Sequence, residues 1–312
     1  MNKLMISSSP HVHSPSSTRR IMLDVIIALL PTTVMGIIIF GIRSLLVVAS
    51  CAIAAVLSEF IFNKITKREE TVGDLSALLT GLLLGLNLHA NAPIWQAVIG
   101  SVFAIIVVKC LFGGIGSNFA NPAITGRVFI LVSFSGALGG GAIPKISRAP
   151  ELVSGATPLE AMKSGADLPS LLDMFLGLRG GAIGEACILA LLLGFVYLVV
   201  RRVIFFETPL IFIGTVFALS LIVSGDATLA LYQIMSGGLV IGAVFMATDY
   251  VTTPLTRSGK MIFSFGAGVI TFLIRQFGAY PEGVSFAILI MNIVSPYIEK
   301  LTLRKALGGN YK

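Results

Sequence analysis

The stretch Thr80-Gly81-Leu82-Leu83-Leu84-Gly85 is answered by Gly237-Gly238-Leu239-Val240-Ile241-Gly242, 157 residues further on (237 − 80). The first lies in the third apolar run of the chain and the second in the eighth. A further echo follows at a similar offset: Phe112-Gly113-Gly114 with Phe119-Ala120 returns as Phe277-Gly278-Ala279 with Phe286-Ala287, 165 residues on (277 − 112). Two echoes at similar offsets imply an internal repeat. With five membrane spans per copy, an odd number, the second copy must cross upside down relative to the first. In folds of that kind, glycine- and proline-interrupted segments at matching places build a site near the membrane midplane, where unwound backbone lines a cavity. The expected site lies between the third, fifth, eighth and tenth spans. The alternative is that the glycine pairs only let helices pack closely.

Composition supports spans in this number. Mean hydropathy is +0.94, 55% of residues are hydrophobic and 12% are charged, against roughly a quarter charged in soluble domains. Such a chain meets lipid over most of its surface, so the fold class is all-α and polytopic. Apolar runs fall at 21–40, 44–62, 75–88, 94–111, 124–138, 183–200, 209–223, 227–247, 261–277 and 284–298. The third and fifth are shorter than the ~20 residues that cross the hydrocarbon as a straight helix, and are expected to be broken or re-entrant. The resulting organisation is a polar tail at 1–20, a first membrane repeat at 21–138, a polar insert at 139–181, a second repeat at 182–299 and a tail at 300–312. No small-residue cleavage site follows the first apolar run, which reads as a retained helix rather than a signal peptide.

Basic residues report orientation in such a protein, and the formal charge of +7 is therefore read as topology, not as a nucleic-acid partner. With both termini cytoplasmic, the inner side holds 16 of the 22 basic residues, among them Lys109 and Arg127. The remaining six (22 − 16) are Arg43, Lys145, Arg148, Lys163, Arg179 and Arg275. This places the 139–181 insert outside. Cys51, Cys110 and Cys187 are far apart, without zinc or cluster spacing, and read as buried thiols.

Four places could carry chemistry. In the insert stands Ser154-Gly155-Ala156-Thr157-Pro158, which looks like a flavinylation site, where an FMN phosphate is esterified to a threonine hydroxyl. The competing reading is a helix start, with Thr157 as N-cap, Pro158 at N1 and Glu160 at N3. Next comes the glycine run ending Asn118-Phe119-Ala120-Asn121-Pro122. If it is helical, the two carboxamides share a face and can address one edge of a planar heterocycle; Asn121 could instead cap a helix that begins at Pro122. Third, Asp249 in Met246-Ala247-Thr248-Asp249 is either solvated at the membrane boundary or functional. Fourth, Asp24, Glu59 and Glu185 lie in or near apolar runs and suit an ion pathway, whereas Asp74 reads as a helix-start residue. His11 and His13 make too few ligands for a metal site, and His89 reads as a surface residue. No nucleotide-hydrolysis or hydrolase motif is present.

Taken together, Ser7-Ser8-Ser9-Pro10-His11-Val12-His13, Ile21 to Pro31, Asn118 to Arg127, Ser154 to Thr157 and Met246 to Asp249 resemble a family: the D subunit of the Rnf complex, homologous to the B subunit of the sodium-pumping NADH:quinone oxidoreductase. The short N-terminal tail favours the Rnf branch. The resemblance implies FMN esterified to Thr157 on the outer face and a noncovalent riboflavin near Asn118, Asn121 and Asp249. It also implies a fold similar to urea and ammonium channels in a bacterial cytoplasmic membrane. The partners it implies are the A, B, C, E and G subunits, with ferredoxin and NAD reached through them. The family's flavin-transfer motif begins with Asp six residues before the threonine; here that position is Glu151. The expected function is electron relay in an ion-translocating ferredoxin:NAD⁺ oxidoreductase, with no catalytic acid or base and no metal on this chain. A small-solute channel and a non-redox scaffold are the rivals.

Overall fold

The computed structural model describes residues 17–134, 142, 144, 157–278 and 282–303. Ser154, Gly155, Ala156, Glu151, His11 and His13 lie outside them. The chain is built of α1 (Thr18–Phe40), α2 (Ile42–Thr66), α3 (Ser76–Leu86), α4 (Ile94–Val102), α5 (Pro122–Ser133), α6 (Pro158–Ser164), α7 (Leu171–Leu176), α8 (Ile188–Val200), α9 (Glu207–Ser224), α10 (Ala227–Met235), α11 (Leu239–Ile241), α12 (Arg257–Phe277) and α13 (Val284–Thr302). Two helices widen into π-helical turns: α4 over Phe103–Cys110 and α11 over Gly242–Met246. Among the described residues the one extended pairing is an isolated bridge between Ala142 and Gly181.

The helices are inside out compared with those of a soluble protein. On α1, Leu23, Ile27, Leu30, Val34 and Ile38 form an exposed stripe, while Asp24, Ala28, Thr32 and Gly36 are buried. Large apolar side chains facing outward at this density would be a liability in water. In lipid they cost nothing, and helix association falls to small and polar residues. Gly81 and Gly194 show how. A Cβ at Gly81 would stand 2.6 Å from the Cys51 carbonyl oxygen of α2, and one at Gly194 would run into the Ala28 carbonyl oxygen of α1. Both glycines are places where two helix backbones touch, as the packing reading of the glycine pair anticipates for Gly81.

Among the described residues, five helices are long and apolar enough to cross a membrane: α1, α2, α9, α12 and α13. The pair formed by α10 and the π-extended α11 makes one more when it is counted as a single span bent by 64°. Four shorter apolar helices complete the set: α3, the π-extended α4, α5 and α8. The protein is therefore a multi-pass, nearly all-helical membrane protein. The third and fifth runs, expected to be broken or re-entrant, each form one short helix, of 11 and 12 residues. The bend itself falls in the eighth, where Ser236 is extended and Gly237 adopts a positive φ of 62°.

Packing follows the sequence echoes. Helix α2 packs on α3 and α4 as α9 packs on α10 and α12, and α4 meets α5 as α12 meets α13. The first helices of the two halves, α1 and α8, pack on each other, as do the last, α5 and α13. Helix starts agree: α4 and α12 begin 163 residues apart (257 − 94), α5 and α13 162 apart (284 − 122).

Candidate functional site

One cavity has its wall begin at Ser76, the first residue of α3. Asp74 accepts from both the backbone N–H and the hydroxyl of Ser76, starting α3 as its helix-start reading requires. Leu79, Thr80 and Leu83 then line the cavity from α3, and Val244 and Phe245 line it from the π-turn after α11. The space measures about 780 Å³ when its open mouth is counted and about 90 Å³ as a cavity, below the ~300 Å³ at which ligand pockets begin. Its polar groups are few: Ser76, Lys109, Asn118, Asn121 and Asp249 among them.

Asn118 and Asn121 reach this cavity by a different route from the one their spacing suggested. The segment from Leu111 to Asn121 is not helical, so the carboxamides share no helix face. Gly113, Gly114 and Gly116 hold φ of 118°, 93° and 92°, values that side-chain-bearing residues rarely adopt. The chain turns there and re-enters at Asn121. The Asn121 carboxamide oxygen accepts from the backbone N–H of Ala123 at 3.0 Å and of Ile124 at 3.3 Å, so it is the N-cap of α5 with Pro122 at N1. Its amide nitrogen donates to Asp249 at 3.3 Å. Capping and site-building thus coexist in one side chain. Asn292 of α13 accepts from the Asn121 N–H at 3.0 Å, tying the two halves together at this point.

Asp249 is half-buried in the cavity wall rather than freely solvated, with Thr252 donating to it at 3.1 Å and the Val251 N–H at 3.2 Å. Burial pushes its carboxyl up from the ordinary value, against hydrogen bonds from Val251, Thr252 and Asn121 that pull it down. Asn118 contributes the informative atom. Its Oδ1 is buried without a hydrogen-bond partner, an arrangement that costs free energy unless a ligand or water donates to it.

Three intramembrane acids are ion-paired. Asp24 accepts from Arg201 and Tyr197, Glu59 pairs with Lys109 at 2.6 Å, and Glu185 lies 3.5 Å from Arg127. Lys109 and Arg127 are therefore not solvated topology markers but buried partners, 2% and 7% exposed. Arg127 also pairs with Glu282 and donates to Asn87 at 2.9 Å. Around it, Arg179 and Arg275 donate to the carbonyls of Gln233, Met235 and Ser236. These are the carbonyls left open where α10 stops, so the guanidiniums replace helix hydrogen bonds lost at the break and favour its negative end. Sequence reading missed this cluster, because its members lie 58 (185 − 127) and 155 (282 − 127) residues apart. His89, read as a surface residue, is 8% exposed with Nδ1 partnerless. The three cysteines are free and buried, and no metal-holding group of acids, histidines or cysteines exists among the described residues.

Thr157 stands apart from the cavity. Its hydroxyl accepts from the Glu160 N–H at 3.3 Å and its own N–H donates to Glu160 at 2.8 Å, a complete capping box for α6. The helix-start reading is therefore present. Among the described residues the hydroxyl donates to nothing, and a phosphoester would keep the oxygen while replacing only that proton. Half-buried, with Pro158 fixing the backbone behind it, Thr157 fits a covalent phosphate. Asn118, Asn121 and Asp249 fit a heterocycle that brings both donors and acceptors.

The family model described as "NQR2, RnfD, RnfE family" matches residues 5–308 of the chain. The D subunit of the Na(+)-translocating ferredoxin:NAD(+) oxidoreductase complex of Acetobacterium woodii is 44% identical, over 98% of this chain and 95% of its own length. The proton-translocating counterpart from Clostridium ljungdahlii is 42% identical, over 96% and 95%. The D subunit of the ion-translocating oxidoreductase complex of Escherichia coli is 34% identical, over 97% and 98%.

Proposed function

The chain belongs to the NQR2, RnfD, RnfE family, and we propose on that footing that it is the membrane D subunit of an ion-translocating ferredoxin:NAD⁺ oxidoreductase, moving Na⁺ or H⁺. In this reading FMN is esterified to Thr157 and riboflavin occupies the cavity at Asn118, Asn121 and Asp249. The flavins supply electron carriage when bound, and the protein supplies position and electrostatics. The single observation that carries the cavity assignment is the buried, partnerless Asn118 Oδ1 beside a carboxamide and a carboxylate. The pyrimidine edge of a flavin offers an N–H to such an acceptor and carbonyls to the Asn121 amide.

The architecture belonging to this reading is two inverted five-helix halves, about ten spans, similar to urea and ammonium channels. The matched packing of the halves supports it. Orientation follows the charges: setting aside the buried Lys109, Arg127, Arg179 and Arg275, the inner side keeps 14 basic residues (16 − 2) and the outer side four (6 − 2). Both termini then face the cytoplasm of a bacterium, with the Thr157 loop outside. Electrons arrive from ferredoxin and leave to NAD⁺ through the A, B, C, E and G subunits.

The test uses Thr157→Asn, which keeps an N-cap acceptor but has no hydroxyl to esterify. Membranes carrying the complex with this variant are expected to lose ferredoxin-driven NAD⁺ reduction while assembling normally. Full activity in the variant would overturn the relay through Thr157.

A further inference from the structure

Among the described residues, Lys109 is the one basic residue lining the cavity. It sits in the π-helical turn that extends α4, a kind of helix distortion found often at functional sites. Two of its contacts are with protein: Glu59 Oε1 at 2.6 Å and the Ser76 hydroxyl at 2.6 Å. An ammonium has three donors. Glu59 lies behind it and does not line the cavity; its Oε1 also accepts from Thr71 at 2.7 Å, and its Oε2 is buried without a partner. The pair is thus a fixed dipole with its positive end at the cavity wall and its negative end in the protein.

Resting on the reading of the cavity as a flavin site, we propose that Lys109 is a flavin-contacting residue that raises the reduction potential of the flavin held there, and that Glu59 moderates this effect from behind. Two-electron reduction with uptake of one proton at N5 leaves the ring system with one negative charge. A cation at the wall favours that state in a low-dielectric surrounding, and a carboxylate just beyond it opposes the same change. The two members of one ion pair therefore push the potential in opposite directions, which a merely structural pair would not do.

Lys109→Met alone would leave a buried carboxylate unpaired and risk misfolding. The informative variants are Glu59→Gln, which keeps the acceptor for Lys109, and the double Lys109→Met/Glu59→Gln. Both are made in the full chain with Thr157→Asn, so that only the noncovalent flavin absorbs, and are titrated spectroelectrochemically at neutral to mildly alkaline pH, where the two-electron product keeps its negative charge. Glu59→Gln is expected to shift the midpoint above that of its parent and the double variant below it. With flavin bound at the parent's occupancy, midpoints that coincide, or the opposite order, overturn the role of Lys109 and leave the flavin site standing. Extraction that yields no noncovalent flavin from the parent sinks the cavity assignment and this inference together.

Discussion

Replacing Gly81 by alanine tests the contact that sets one wall of the cavity. The new Cβ would lie 2.6 Å from the Cys51 carbonyl oxygen, 2.7 Å from Ala52 Cα and 2.9 Å from Ala55 Cβ. The first two neighbours are backbone of α2, so no side chain can swing aside. Ordinary contact begins at 3.4 Å, and α3 must back away from α2 by up to 0.8 Å. Overpacking of this kind costs about 1–3 kcal/mol, and the gain in helix propensity from glycine to alanine returns about 1 kcal/mol. With unyielding backbone at 2.6 and 2.7 Å the upper part of that range applies, about 2–3 kcal/mol, so the net expectation is a loss of about 1–2 kcal/mol, with weaker flavin retention because Leu79, Thr80 and Leu83 on α3 line the cavity. Gly73→Ala serves as control, since nothing lies within 4 Å of its Cβ position. Thermal unfolding of the detergent-solubilised protein by circular dichroism reads both. Gly81→Ala as stable as the control variant would refute the backbone-to-backbone contact and the cavity geometry derived from it.

Three further outcomes follow from the same geometry. Arg127→Met removes the cation that ion-pairs with both Glu185 and Glu282, leaving them to the more distant Arg179 and Arg275, and should cost up to about 3–5 kcal/mol; adding Glu185→Gln should recover most of it in the same unfolding assay. Asn121→Ala removes the cap of α5 and should be less stable than Asn121→Ser, which keeps a capping oxygen, by about 1 kcal/mol. Asp249 has its folded carboxyl raised above the ordinary aspartate value, so it contributes stability below that value and loses it as pH rises through the raised one. Parent stability relative to Asp249→Asn should accordingly fall over that window.

The sequence was most legible where local rules decide. Long apolar runs became spanning helices, Asp74 started α3, and Thr157, Pro158 and Glu160 formed the capping box their spacing allows. The glycine run before Asn121 hid its outcome, because the same residues suit a flexible helix entry and a left-handed turn, and tertiary contact with Asn292 and Asp249 chose the turn. Lys109 misled for a physical reason. A lysine at the end of an apolar run is ordinarily a solvated anchor, and only the approach of Glu59, 50 residues away, makes it a cavity residue. The break in the eighth run carried a signal in Ser236-Gly237-Gly238, yet the arginines that stabilise it come from distant segments that no local pattern connects.

The most direct measurement is in-gel flavin fluorescence of the denatured chain, coexpressed with its flavin transferase, for the parent and for Thr157→Asn. The account predicts a fluorescent parent band and a dark variant band. A dark parent, with the transferase active on a control substrate, or a variant as bright as the parent, would contradict it.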